Sequence, residues 1–215
     1  MGLKLYNYFR SSASYRVRIA LHWKGLPFEY LPVHLTKGGG EQHSAQFRKL
    51  NPMGHVPALI DGDFVLGESV AIIDYLDRIS PARPMFPTEP KSRARVLQIC
   101  EVVNSGIQPY QNLKLLSDCE KSLGWSQDQR EQWVRKWVGL GLENLEKILE
   151  GTAGSHAVGG DVTAADAFIM PQLFGSRRFK IDISKFPILS RIEASALTLE
   201  AFKKAHPEAQ PDFEK

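Results

Sequence analysis

Residues 3–33, LKLYNYFRSSASYRVRIALHWKGLPFEYLPV, decide the fold class of this chain. Apolar and polar side chains alternate over Leu3–Tyr8, and β-forming residues fill Phe28–Val33, which predicts two strands. Between them, Ser14–Lys24 carries apolar residues at helical spacing, and Gly25 follows as a C-cap would. A strand, a helix and a second strand in this order predict a β-α-β unit.

The pattern downstream extends this unit into an α/β domain. Residues 58–60 and 64–66 are apolar and flank the Asp-Gly-Asp of residues 61–63, which is typical of a β-hairpin. Residues 69–78 then show helical spacing. The predicted order of elements is therefore β-α-β-(α)-β-β-α.

Four prolines between Ser80 and Pro90 forbid a continuous helix or a central strand and predict a domain boundary. We expect a first domain at 1–82, a proline-rich linker at 83–90, and an all-helical domain at 91–215. The last ten residues, HPEAQPDFEK, predict a polar surface tail. The strongest helical patterns of the second part are Lys91–Ser105, Ser126–Glu150 and Thr163–Phe174.

Composition excludes several classes of protein. Of 215 residues, 43% are hydrophobic and 24% charged, so a folded core is expected, and a net charge of +3 is too small for a dedicated nucleic-acid binder. The two cysteines, Cys100 and Cys119, exclude a disulfide scaffold and indicate a reducing compartment. Without a signal-peptide core or an apolar run of ~18 residues, we expect a cytoplasmic protein with no membrane partner.

Residues 10–14, Arg-Ser-Ser-Ala-Ser, lie at the predicted junction between strand and helix, where free amides and the helix dipole attract anions. Two interpretations stay open: Ser11, Ser12 or Ser14 only caps the helix while the arginines are solvated or pair elsewhere, or the junction binds an anionic ligand. No cysteine precedes Cys100, so a thioredoxin-like thiol pair is excluded. Any thiol at this junction must belong to a ligand.

Three other positions allow a structural or a functional interpretation. Pro57 either caps a strand or follows a cis peptide bond, and Ser69 either caps the next helix or also meets a carboxylate. The basic residues 177, 178 and 180 form a solvated face or recognise a substrate carboxylate. The six histidines show no metal-binding spacing, so no metal site is predicted.

Five motifs together resemble the zeta-class glutathione transferases over nearly the whole chain. The resemblance implies a thioredoxin-like α/β N-terminal domain, an all-α C-terminal domain, glutathione as cofactor, and a homodimer. It also implies that the electrophile lies between the two domains. The motifs are YFRSSASYRVRIAL (8–21), LNPMGHVPAL (50–59), ESVAIIDYL (68–76), IQPYQNL (107–113) and RRFKID (177–182).

The resemblance also implies roles for individual residues. Ser11 would donate a hydrogen bond to the glutathione sulfur, surrounded by Ser12, Ala13 and the helix N-terminus. The substrate carboxylates would meet Arg178, and also Arg10, which we add because of its place at the junction. The remaining glutathione contacts would be the Val56 backbone before a cis Pro57, Glu68 and Ser69 at the γ-glutamyl end, Gln42 at the glycyl end, and Gln108 and Asn112 from the helical domain.

The implied reaction is the cis-trans isomerisation of maleylacetoacetate, a cis-enone diacid from tyrosine and phenylalanine catabolism, to fumarylacetoacetate. A thiolate adds to the double bond, the resulting single bond rotates, and the thiolate is eliminated. Ala13 stands where many relatives have cysteine, and Glu68 where many have glutamine. Alternatives are a maleylpyruvate isomerase and a non-catalytic binding module, and a side activity on α-halo acids is expected.

Overall fold

The computed structural model describes residues 2–214. Its contacts divide the chain into two compact units: residues up to Phe86 together with those from Leu197 onward, and Pro87–Ala196. This division differs from the predicted domain ranges at two points. Residues 197–214, which we expected within the helical domain, pack with the N-terminal residues, and the predicted linker 83–90 is divided between the two units after Phe86.

The first unit contains a four-stranded sheet in the order β2-β1-β3-β4. The two strands β1 and β2 are parallel, and the other neighbouring pairs are antiparallel. The predicted β-α-β unit and hairpin are confirmed, although the first two strands end one residue early. The strands are β1 (Leu3–Asn7), β2 (Phe28–Pro32), β3 (Ala58–Asp61) and β4 (Phe64–Gly67).

Helices make up most of the remaining described chain. Three follow the strands of the first unit, five belong to the second unit, and the last returns to the first. They are α1 (Ser12–Lys24), α2 (Ala45–Leu50), α3 (Ser69–Ile79), α4 (Pro90–Glu101), α5 (Leu113–Leu123), α6 (Gln127–Leu149), α7 (Ala164–Arg178), α8 (Pro187–Ala196) and α9 (Glu200–Ala205).

The side chains of the central strand β1 alternate between two helical layers, as the period of a strand requires. Asn7 points to α1, where its Oδ1 accepts a hydrogen bond from Arg18 Nη1 at 3.1 Å. Tyr6 points to the other side, and its ring lies 6.0 Å from that of Phe47 in α2. The sheet therefore lies between α1 and α2, and α9 packs against α1.

The C-terminal residues are part of the first unit, so the prediction of a surface tail at 206–215 is wrong for the residues described. Pro207 and Gln210 are buried, and Gln210 Nε2 donates to the carbonyls of Lys204 and His206, both at 2.8 Å. Asp212 accepts a hydrogen bond from the Phe9 amide at 3.0 Å. Polar side chains rather than a periodic apolar face hold this segment, which is why hydropathy patterning did not reveal it.

The second unit departs from the predicted helices in three respects. Helix α7 continues to Arg178, beyond the predicted end at Phe174. Helix α4 ends at Glu101 instead of Ser105 and is followed by a π-helical turn at Val102–Ile107. Helices α5 and α8 were not predicted. Among residues 2–214, no helix is long and apolar enough to span a bilayer.

Asp166 organises the start of α7 from inside the second unit. Its fully buried carboxylate accepts hydrogen bonds from the amides of Ala157 and Thr163, at 2.9 and 2.8 Å, and from the Thr163 hydroxyl at 3.1 Å. One carboxylate therefore accepts hydrogen bonds from donors at the helix N-terminus and in the preceding loop. Burial would otherwise leave these donors unpaired.

We expect Asp166→Ala to lower the free energy of unfolding by about 3 kcal/mol, because it leaves buried amide donors without acceptors. Urea denaturation followed by circular dichroism measures this loss. Asp161→Ala removes an exposed acid from the same loop and is the control, with an expected change within about 0.5 kcal/mol. Equal losses for the two variants would contradict the role given to the Asp166 carboxylate.

Candidate functional site

The junction between β1 and α1 is a tight turn that ends in a helix cap. The Ser11 amide donates to the Tyr8 carbonyl at 3.0 Å, which closes a four-residue turn. Ser11 then caps α1, because its Oγ accepts a hydrogen bond from the Ser14 amide at 3.2 Å. The first turn of α1 contains no acidic residue, so the positive end of its dipole is not neutralised locally. The junction therefore suits an anion.

The three arginines near this helix start differ in burial and in their contacts. Arg16 and Arg18 are buried at 1% and 0% exposure, and both bond to neighbouring protein oxygens. For these two, the interpretation that the arginines pair elsewhere is confirmed. Arg10 is half-buried at the turn, with its guanidinium carbon 5.8 Å from the centre of the Tyr8 ring.

Val56 lies beside the same turn. It is 7% exposed and belongs to an apolar cluster that also contains Tyr8 and Phe9. The peptide bond to Pro57 is cis, which settles the alternative that the sequence left open. Since β3 begins only at Ala58, the backbone of Val56 lies outside the paired strands.

Asn51 is a positioning residue that the sequence analysis missed. Its Nδ2 donates to the His55 carbonyl at 2.8 Å, and its Oδ1 accepts from the Met53 amide at 3.1 Å, so it shapes the loop before Val56. A side chain at Gly67 would meet Asn51 Nδ2 at 3.2 Å, so β4 ends close to this loop. The only available signal was the Asn-Pro within LNPMGHVPAL.

The prediction that Ser69 caps its helix is wrong. Glu68 occupies the N-cap of α3 with a φ of 63° and makes no capping hydrogen bond through its side chain, while Ser69 is the first helical residue. Ser69 is 3% exposed, and its hydroxyl accepts a hydrogen bond from Arg16 Nη1 at 3.1 Å. This bond joins the starts of α1 and α3, whereas the exposed Glu68 carboxylate is held in an uncommon left-handed backbone conformation.

Gln42 carries a buried polar atom that the protein does not satisfy. The residue is 7% exposed, and its Nε2 donates to the Leu35 carbonyl at 3.2 Å. Within residues 2–214, its Oε1 has no hydrogen-bond partner. A buried acceptor without a partner is costly, so this oxygen suits a donor on a ligand. The Gln42 backbone is also close to the loop before Val56, since a Cβ at Gly54 would lie 3.1 Å from the Gln42 carbonyl.

The remaining predicted site residues belong to the second unit. Gln108 begins a short 3₁₀ helix over Gln108–Gln111. Asn112 caps α5, where its Oδ1 accepts from the Lys114 amide at 2.9 Å. Arg178 ends α7 with an exposed side chain. Its neighbour Arg177 pairs with Glu193.

Within residues 2–214, no group of three or more histidines, cysteines or acids could hold a metal ion. Cys100 and Cys119 are both buried, as expected of structural cysteines. The Val56 backbone lies beside the turn at Ser11, Ser69 is joined to α1 through Arg16, and Gln42 lies close to the loop that precedes Val56. These residues offer donors and acceptors near the unneutralised N-terminus of α1. Such a set can bind a peptide-like anion.

The family match, the curated relative and the two solved structures described here all belong to the glutathione transferases or their isomerase members. Residues 5–84 match the family described as "Glutathione S-transferase, N-terminal domain". The maleylacetoacetate isomerase of Rattus norvegicus is 46% identical over 209 residues, which cover 97% of this chain and 94% of that protein.

Two solved structures share nearly the whole fold. The holo structure of maleyl pyruvate isomerase, a bacterial glutathione S-transferase in the zeta class, is 37% identical with a TM-score of 0.93, covering 97% of this chain and 99% of that one. The maleylacetoacetate isomerase of Methylobacterium extorquens AM1, with bound malonate and GSH, is 34% identical with a TM-score of 0.94, covering 99% and 100%.

Proposed function

The chain belongs to the zeta-class glutathione transferases, and from this membership we propose that it isomerises maleylacetoacetate to fumarylacetoacetate with glutathione as cofactor. The observation that carries the proposal is the place of Ser11, which caps a helix without acidic residues in its first turn. A thiolate at that position would meet a hydroxyl donor and the positive end of a helix dipole together.

The residues of the first unit fit glutathione. Gln42 Oε1, which has no partner among the described residues, would accept from an amide of the glycyl end, and the Val56 backbone would pair with the cysteinyl part. Ser69 would bind the γ-glutamyl carboxylate through its amide at the start of α3. Glu68, exposed beside it, would face the γ-glutamyl ammonium, where a carboxylate gives a charge-assisted bond.

When bound, glutathione supplies a thiolate that adds to the cis double bond and leaves after rotation. Ser11 would lower the pKa of that thiol from its free value of ~8.5 by donating to the sulfur, with Ser12 and Ala13 beside it at the start of α1. Arg10 and Arg178 would bind the substrate carboxylates, and Gln108 and Asn112 would contribute from the helical unit. Because Ala13 carries no thiol, the protein's own contribution to the nucleophile rests on Ser11.

Maleylpyruvate is the second candidate substrate, since one of the solved structures above is a maleylpyruvate isomerase. Both substrates are cis-enone diacids, and both reactions need the same thiolate. We favour maleylacetoacetate because Ser12-Ala13 stands where the family members that use maleylpyruvate tend to have Gly-Thr. Displacement of halide from α-halo acids would be a side activity of the same thiolate.

The test of the proposed function is the isomerisation of maleylacetone, a stable mimic of maleylacetoacetate, with maleylpyruvate in a parallel assay. We expect turnover that requires glutathione and a higher kcat/KM on maleylacetone. A higher kcat/KM on maleylpyruvate would reverse the substrate assignment. If neither compound turns over, the assignment of isomerase chemistry to this chain fails.

The setting of the reaction is also part of the proposal. We place the enzyme in the cytoplasm, in tyrosine and phenylalanine catabolism, as a homodimer. The exposed apolar residues Phe64 and Val65 are adjacent in the edge strand β4 and support the dimer, because contiguous exposed apolar residues are typical of interaction surfaces. A monomer in equilibrium sedimentation would contradict it.

We expect Ser11→Ala to lower kcat about a hundredfold, because loss of one preorganised donor to a developing anion typically costs that much. Steady-state kinetics with maleylacetone measures the effect. The substitution also removes a helix cap worth about 1 kcal/mol, so Ser126→Ala, which removes the cap of α6, is the matched control. A control with the same loss of kcat would show that stability, not the hydroxyl at the junction, causes the effect.

For Arg178→Ala we expect a KM for maleylacetone about tenfold higher with kcat nearly unchanged, because a contact that binds ground and transition states alike is lost. Arg177→Ala is the control, since Arg177 already pairs with Glu193 and should not affect KM. The proposed role of Arg178 fails if the two variants have the same KM as the parent enzyme.

A further inference from the structure

Phe9 is held from outside the turn that presents Ser11. It is one of the two central residues of the Tyr8–Ser11 turn. Its amide donates to Asp212 Oδ2 at 3.0 Å, and its carbonyl accepts from Arg18 Nη2 at 2.9 Å. Both ends of the Phe9 backbone are therefore fixed by side chains that lie elsewhere in the chain.

Asp212 is itself firmly anchored in the first unit. Its other oxygen, Oδ1, accepts a hydrogen bond from the Tyr30 hydroxyl in β2. Burial and this bond raise the pKa of Tyr30, so the hydroxyl stays a donor at any physiological pH. The ring of the next residue, Phe213, packs edge-on against the Phe9 ring with centres 5.6 Å apart. The C-terminal segment thus contacts Phe9 through both backbone and side chain.

Arg18 fixes the turn through a second set of hydrogen bonds. Its Nη1 donates to the Tyr8 carbonyl at 3.2 Å, and this is the same carbonyl that accepts the Ser11 amide at 3.0 Å. Arg18 also donates through Nε to the Ala205 carbonyl at 3.1 Å, at the end of α9. Arg18 therefore also holds the end of α9, directly before the segment that contains Asp212.

We propose that the C-terminal segment 206–214 contributes to the thiolate site, which is the Tyr8–Ser11 turn with the Ser11 hydroxyl. In this proposal, Asp212 is a positioning residue that orients Ser11 through the Phe9 amide. This inference rests on the role proposed for Ser11. Asp212 does not act on the thiolate directly. It selects one orientation of the Tyr8–Ser11 turn, and hence one direction of the Ser11 hydroxyl.

The chemistry of the bond explains why a carboxylate is used. A carboxylate accepts through two oxygens, so Asp212 binds the Phe9 amide and the Tyr30 hydroxyl at once, which ties the turn to the edge strand β2. Without it, the Phe9 amide would bond to water and the turn would sample several orientations. A donor that is misaligned on average stabilises a thiolate less, which raises the pKa of the thiol.

The experiment compares Asp212→Ala, Asp212→Asn and Glu214→Ala in the full chain. Asparagine keeps an acceptor oxygen for the Phe9 amide, whereas alanine removes it. Glu214 belongs to the same segment but pairs with the side chains of Lys37 and His34 rather than with the backbone of the turn, so its variant is the matched control. The ultraviolet absorbance of the thiolate is titrated with pH for glutathione bound to each protein. Calorimetry gives the Kd for glutathione, and kinetics with maleylacetone gives kcat.

We expect Asp212→Ala to lower the thiolate fraction of bound glutathione at pH 7 about fivefold and kcat by a similar factor, with Kd changed less than twofold. Asp212→Asn should recover most of both values, and Glu214→Ala should match the parent protein. Amide hydrogen exchange at Phe9 and Ser11, measured without glutathione, should become faster only in Asp212→Ala.

Two results separate this inference from the proposed function. If Ser11→Ala raises the pKa of the bound thiol but Asp212→Ala leaves it unchanged, the role of Asp212 is overturned while Ser11 keeps its own. If Ser11→Ala leaves that pKa unchanged, the assignment of Ser11 fails, and the role of Asp212 fails with it. A loss of stability in Asp212→Ala without a change in the thiol pKa would also overturn the inference.

Discussion

The buried guanidinium of Arg18 is the interaction on which the first unit depends. Its three nitrogens donate to four oxygens: Asn7 Oδ1 and the carbonyls of Tyr8, Phe9 and Ala205. Burial lowers its pKa to about 10, so it remains charged at neutral pH. A buried cation is tolerated only when its donors are satisfied, and here backbone carbonyls satisfy most of them. The end of β1 and the end of α9 are therefore held by one side chain of α1.

The sequence contained enough to predict the local elements of the first unit. Period-2 and helical patterns gave the β-α-β unit, and the Asp-Gly-Asp hairpin was found from its turn residues. The serines before the helix predicted a serine cap, because capping is a short-range interaction, and the structure shows that Ser11 is the one that caps. At α3 the same reasoning was wrong, since Glu68 takes the cap position and Ser69 bonds to Arg16, a partner 53 positions away.

The parts that could not be predicted depend on distant partners. Charge near a helix start indicated an anion site or pairing elsewhere, and only the folded chain shows that Arg18 bonds to backbone oxygens. The C-terminal segment is polar and carries no apolar period, so its attachment through Gln210 and Asp212 left no pattern in the sequence. Gln108 and Asn112 were predicted by resemblance alone, and only the resemblance favoured Arg178 over the neighbouring basic residues, because spacing does not indicate which residues of a helical unit face a ligand.

The position of Asp212 has a consequence for how the protein is made. Phe9 and Asp212 are separated by 203 positions, and the whole second unit, Pro87–Ala196, lies between them. On the ribosome, the sheet and the intervening helices emerge well before the residue that fixes the turn at Ser11. The nascent chain can therefore form its sheet before Asp212 is available, and the full stabilisation of a thiolate by Ser11 is expected only after residues 206–214 have been made.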